Sequence, residues 1–231
     1  MTPLIFLPGM MCDARLFGPQ IEALSCRMPI MSFPLSGHES VEDMATDILN
    51  NAPQGFALAG LSMGGIVAME VLRQAPDRVS RLALLDTNPL AELPEVKARR
   101  VPQMAAVREG RLWHVMRDEM KPQYLADGPR QGTILDLCMA MATALGPDVF
   151  LRQSKALMDR PDQRASLSGY PGKTLVLCGQ HDGLCPVERH QLMHDLLPNS
   201  TFEVIDGAGH LPTLEQPIET TAALAHWLED T

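Results

Sequence analysis

Basic charge is scarce in this chain: 19 Lys and Arg stand against 28 Asp and Glu, a formal net charge of −9. That balance excludes a protein that grips a nucleic-acid backbone, which needs a basic face. Cysteine is sparse as well. Cys12, Cys26, Cys138, Cys178 and Cys185 are odd in number and show no C-x-x-C spacing. Neither a disulfide framework nor a zinc or redox pair is indicated, and reduced thiols in a cytoplasmic protein account for them. No continuous apolar run approaches the roughly 20 residues that span a bilayer, so no membrane partner is expected. Residues 1–8 lack a basic leader, and Pro8-Gly9 interrupts their apolar run, so they read as a first strand and not as a signal peptide. Repeats, low-complexity segments and flexible linkers are missing, which leaves one sizeable domain in 231 residues.

What the chain does have is a stretch around which the rest is arranged, residues 55–69. An apolar strand (56–59) runs into Gly60-Leu-Ser62-Met-Gly64, and a helix to about Gln74 leaves at once. A serine raised on so tight a turn needs glycine neighbours, because a Cβ two residues away would collide with the crossing backbone. The helix N-terminus then aims free N–H groups and its positive dipole end beside the serine. By itself a G-x-S-x-G arises by chance often enough that it decides nothing. Its weight comes from what surrounds it.

Short, continuously apolar strands are predicted at 4–7, 28–33, 56–59, 81–85, 174–178 and 201–205. Helices are predicted at about 13–24, at 41–51 behind the N-cap Ser40, after the elbow, at 186–197 and at 213–229. Alternating strands and helices imply a parallel sheet of about six strands flanked by helices, an α/β fold. Between about residues 90 and 169 the alternation stops. Helical spacing there predicts helices over 94–109, 111–120, 133–145 and 147–158, too long for a plain connection. The expected division is a core of residues 1–88 and 170–231, with a helical cap of residues 89–169 inserted in it. Residues 87–170 hold 12 Lys and Arg against 10 Asp and Glu, whereas the remainder is strongly acidic. Solvated helix faces explain that split, and a mildly basic lid that draws in an anionic substrate is the functional alternative.

A serine hydroxyl is a poor nucleophile without a base, and the base needs a third group to fix its tautomer. Open parallel sheets collect functional groups at the carboxyl ends of their strands. Past the last strand lies Gly207-Ala-Gly-His210, where two glycines let the loop deliver His210 as the base. Past the fifth lies Gly179-Gln-His-Asp182, with Asp182 the favoured orienting carboxylate. Asp86, also at a strand end, is the main competitor, and Asp206 is third. The developing oxyanion needs preorganised donors. Backbone N–H groups of Met63 and Met10 are expected to supply them.

These four landmarks, with Leu7-Pro8-Gly9-Met10 as the first, resemble those of the α/β-hydrolase superfamily, in the same order of Ser, Asp and His. The resemblance covers nearly the whole chain and implies Ser62 as nucleophile, His210 as base and Asp182 as acid, with Met10 and Met63 as oxyanion donors. It implies no cofactor and no metal. Three features depart from the family pattern. The chain begins at what would be the family's third strand, the His-Gly before the oxyanion loop is Pro8-Gly9, and Gly37-His38-Glu39-Ser40 stands for a Gly-His-Gly-x-Ser, its His38 read as loop structure.

The expected activity is hydrolysis of a small carboxylic ester or thioester through an acyl-enzyme. The same triad could instead serve C–C bond hydrolysis or a lyase-type elimination, and a ligand-binding protein that retains the fold is a third reading. Trp113, His114 and Tyr124 are the cap residues expected to line the pocket, each equally readable as packing.

Overall fold

The computed structural model describes residues 2–229. Six strands, β1 (Leu4–Leu7), β2 (Ile30–Ser32), β3 (Phe56–Leu61), β4 (Val79–Leu85), β5 (Lys173–Gly179) and β6 (Ser200–Ile205), form one sheet in the order β2-β1-β3-β4-β5-β6. Every pairing is parallel. The helices are α1 (Gly18–Leu24), α2 (Val41–Asn51), α3 (Met63–Gln74), α4 (Pro94–Arg108), α5 (Leu112–His114), α6 (Gln131–Met158), α7 (Arg164–Ser168), α8 (Val187–Leu196), α9 (Pro212–Glu215) and α10 (Pro217–Leu228).

The continuous apolar strands are explained by burial on both faces. Ile5, Leu7, Leu58 and Leu84 pack with Val41 and Met44 of α2, Val67 and Val71 of α3 and Met193 of α8. Their alternate neighbours Leu4, Phe6, Ala57 and Leu175 pack with Leu24 of α1 and with Leu224 and Trp227 of α10. Helix α2 starts where Ser40 Oγ accepts the Asp43 N–H at 3.0 Å. The strand register pairs Leu7 with Gly60, Leu61 with Leu85, and Leu85 with Leu177. The chain therefore leaves β1, β3, β4 and β5 at nearly one level, and that shared edge is where chemistry-bearing loops can meet.

Between β4 and β5 the described chain is all helix and turn, as predicted, but its local form differs. The single helix expected over 111–120 is α5 followed by a π-helical stretch, Val115–Met120. The segment 13–24 begins as a 3-10 turn, Ala14–Phe17, capped by Asp13, before Gly18-Pro19 opens α1. The last helix divides because Pro217 starts α10 and cannot donate back into α9. The second strand shortens to Ile30–Ser32, since it is a half-buried edge strand with one neighbour.

Helix α6 combines the two helices predicted at 133–145 and 147–158. They join end to end across Gly146, whose φ of 80° and ψ of 177° are not helical. By length and composition α6 is apolar enough to cross a membrane, although it holds no unbroken apolar run of that length. The break at Gly146 leaves two segments, each shorter than the roughly 20 residues a crossing needs. Helix α7 packs on α3 and α8, so the end of the insertion lies in the core layer.

Candidate active site

Ser62 stands between the last residue of β3 and the first of α3, with φ 56° and ψ −116°. L-residues rarely adopt that conformation, and its neighbours show why it is held here. A Cβ on Gly64 would strike the backbone of Leu7 and Pro8, and one on Gly60 would strike Gly64. The turn is also tied down from outside: Ser62 N–H donates to Leu85 O at 2.9 Å, and Thr87 Oγ1 donates to Ser62 O at 2.7 Å.

Three of the predicted side chains meet at this edge. His210 Nε2 lies 2.9 Å from Ser62 Oγ, and His210 Nδ1 lies 2.8 Å from Asp182 Oδ2. The imidazole and the carboxylate are both buried. The other Asp182 oxygen accepts the N–H groups of Leu184 at 2.8 Å and Cys185 at 3.0 Å. Burial pushes the Asp182 carboxyl up, but the charge and hydrogen bond of His210 and the Cys185 and Leu184 amides outweigh it and hold the group below its ordinary value.

The competitor Asp86 behaves in the opposite way. It directly follows β4, with φ 43°, and is fully buried. Oδ1 accepts the Gly179 N–H at 2.9 Å, while Oδ2 has no hydrogen-bond partner within 3.5 Å among the described residues. Burial, then the neighbouring Asp182 charge, raises its carboxyl well above the usual range. The two carboxyls are thus driven in opposite directions, Asp182 towards its ionised form beside the imidazole and Asp86 towards its protonated form behind it. Asp206 is exposed, and His38 lies on the surface 3.8 Å from Asp47.

The loop that carries His210 is fixed by contacts the sequence reading did not include. His210 N–H donates to Tyr124 O at 2.7 Å, and the Tyr124 ring meets the imidazole edge-on, 5.3 Å between centroids. Buried Glu215 accepts from three amides, those of Leu211, Gly209 and Ala126. One carboxylate thereby binds the histidine loop to the helical insertion. A glutamate five positions past the histidine, in the first turn after Pro212, was the available signal.

A cavity of about 240 Å³ opens over Ser62, and Met10, Met63 and Tyr124 lie in its wall. Met63, as the first residue of α3, has no preceding turn to accept its N–H. Met10 follows β1 in a loop whose next residue, Met11, has φ 55°. Trp113 and His114 do not line this cavity. Trp113 is 58% exposed beside Arg117, and His114 pairs with Asp118 on the surface, because the short α5 turns both outward.

Asp182, Cys185 and His210 offer ligand atoms within 4.8 Å of one another. They are poorly suited to a metal. His210 Nδ1 is already bonded to Asp182 Oδ2 and His210 Nε2 to Ser62 Oγ, so a metal here would have to break that series.

Residues 4–224 match the profile of the alpha/beta hydrolase family. A pimeloyl-[acyl-carrier protein] methyl ester esterase of Aliivibrio salmonicida is 24% identical across 99% of this chain and 92% of its own length. A protein of the same description from Klebsiella pneumoniae is 30% identical across 78% and 72%. Among solved structures, a thermophilic esterase from Thermogutta terrifontis superposes with a TM-score of 0.90 at 29% identity, over 99% of this chain and 89% of that one.

Proposed function

The chain belongs to the alpha/beta hydrolase family, and on that footing we propose that it is a serine hydrolase cleaving a small carboxylic ester through an acyl-enzyme on Ser62. The observation that carries the reading is the unbroken series Ser62 Oγ, His210, Asp182, with contacts of 2.9 and 2.8 Å. Its esterase relatives favour an ester of a small alcohol over a thioester.

In this reading the Ser62 hydroxyl passes its proton to His210 Nε2 as Oγ attacks the ester carbonyl. Asp182 keeps Nδ1 protonated and stabilises the imidazolium that forms. The N–H groups of Met63 and Met10 receive the oxyanion, each such donor being worth about 3 kcal/mol in the transition state. His210 then returns the proton to the leaving alcohol, and the same base activates the water that releases the acid. Helices α4 to α6 act as the cap over this reaction. The five cysteines are unpaired, which suits the reducing compartment expected for the protein.

A fluorophosphonate probe, followed by peptide mapping, tests the assignment. The expected adduct is on Ser62, together with turnover of short-chain p-nitrophenyl esters that exceeds turnover of the matching acyl-CoA thioesters. No labelling and no ester turnover in the folded protein would refute the reading.

A further inference from the structure

The cavity over Ser62 is walled by an excess of positive charge, although the whole chain carries −9. Arg99, Arg100, Arg160 and Arg189 line it with only two carboxylates, Glu92 and Glu119. Three of these groups form a buried cluster. Arg100 holds Glu92 Oε2 at 2.8 Å, and Arg160 holds Oε1 at 3.0 Å. The Glu92 side chain is 4% exposed, Arg160 8% and Arg100 13%. A carboxylate between two guanidiniums leaves one positive charge in excess in a mostly buried cluster at the cavity wall, an arrangement that an anion in the cavity would relieve.

Two further observations point the same way. Nη1 of Arg100 makes its contact with Met10 Sδ at 3.7 Å, and a thioether is a weak acceptor. Among the described residues, Arg99 and Arg189 have no acidic partner within ion-pair distance. A strut between the start of α4 and the end of α6 would account for Glu92 with one arginine. It accounts neither for the second nor for the unpaired pair beside it. Burial pulls the Arg160 guanidinium below its ordinary value, and Arg100 and Arg189 repel it further, although Glu92 works against both.

We propose that Arg100 and Arg160, set in place by Glu92, form an anion subsite with Arg189, and that the ester cleaved at Ser62 bears a second, anionic group, a carboxylate or a phosphate, on the part held in the cavity. Guanidinium forks match both groups in two-point geometry. The contact from Arg100 to Met10 puts the subsite on the wall that carries one of the proposed oxyanion donors, so a short spacer between the ester and the anion suffices. The inference rests on the hydrolytic reading of Ser62.

Three methyl esters with the same spacer separate the possibilities: methyl valerate, monomethyl glutarate and methyl 4-phosphonobutyrate. With release of acid followed in a pH-stat, the expected kcat/KM for one of the two anionic esters exceeds that for methyl valerate at least tenfold, and the higher of the two identifies the group. The ratio falls towards 1 in Arg189→Gln and Arg160→Gln, and it shrinks with added salt. Arg189 is only partly buried and unpaired, so that variant keeps the test open if Arg160→Gln fails to fold. Methyl valerate hydrolysed as well as both anionic esters would overturn the subsite while leaving the hydrolase intact. A tenfold preference untouched by either substitution would overturn these arginines as its cause. No turnover of any ester would count against the hydrolytic reading itself.

Discussion

Gln153 Oε1 accepts the Met11 N–H at 2.8 Å, a hydrogen bond between residues 142 positions apart. The same side chain donates from Nε2 to Leu35 O at 2.8 Å. One amide from α6 therefore holds the left-handed residue beside the proposed Met10 donor. Gln153→Ala frees that loop and leaves a buried N–H and a buried C=O without partners, a cost of roughly 1–3 kcal/mol for each group. The expected outcome is a 10- to 100-fold lower kcat on p-nitrophenyl acetate with a smaller change in KM. A variant that melts earlier but keeps its kcat would show that the loop holds its own shape.

Ser62 carries its conformation at a cost. Ser62→Ala removes the hydroxyl but keeps a Cβ at φ 56°, whereas Ser62→Gly removes both. Each variant is expected to lose at least 10³-fold in turnover. Ser62→Gly is nevertheless expected to be the more stable by about 1 kcal/mol, the order of strain held in such a residue. Urea unfolding of the two variants measures the difference, and equal stabilities would show that the turn is unstrained.

The pair Asp182 and Asp86 divides by charge state. Asp182→Asn removes the negative charge beside the imidazole and favours the wrong tautomer, with an expected loss near 10⁴-fold in kcat. Asp86→Asn puts a neutral group of the same shape where burial and the Asp182 charge already raise the carboxyl, and less than a tenfold loss is expected. Comparable losses in kcat/KM at pH 8 would move the acid role to Asp86.

His190 is buried, and its Nε2 accepts the Thr87 N–H at 3.0 Å, so the ring must be neutral there. Burial pulls its pKa down to about 4. The unfolded chain takes up this proton near pH 6.5 and the folded protein only near 4. The histidine's contribution is therefore complete above about 6.5 and declines as the pH falls towards 4, by roughly 3 kcal/mol in all. In His190→Gln, denaturant unfolding at pH 5 and pH 7.5 is expected to show a shallower loss on acidification than in the parent. Parallel profiles would place the titration elsewhere.

The parallel sheet was legible because its inner strands β1, β3, β4 and β5 are largely buried on both faces and read as apolar runs, as Leu4–Leu7 does. Ser62, His210 and Asp182 were legible because strand ends and glycines mark where a sheet delivers side chains. Helical spacing, by contrast, records only that a segment is helical. It could not tell the π-helical Val115–Met120 from an α-helix, or the outward face of α5, which carries Trp113 and His114, from an inward one. Gln153 and Glu215 act through a few hydrogen bonds to distant loops, and a lone polar side chain in a helix leaves no periodic trace.

The two ends of the helical insertion are laced together. Gln163 N–H donates to Pro89 O at 2.8 Å, Arg160 Nε donates to Leu90 O at 3.0 Å, and Arg160 also pairs with Glu92. The chain departs and returns at adjacent strands, and this seam closes the circuit before α4 begins. The segment beyond it is consequently closed at its base as a loop of its own, while Gln153, Tyr124 and the Ala126 N–H tie its interior to the loops that frame Ser62.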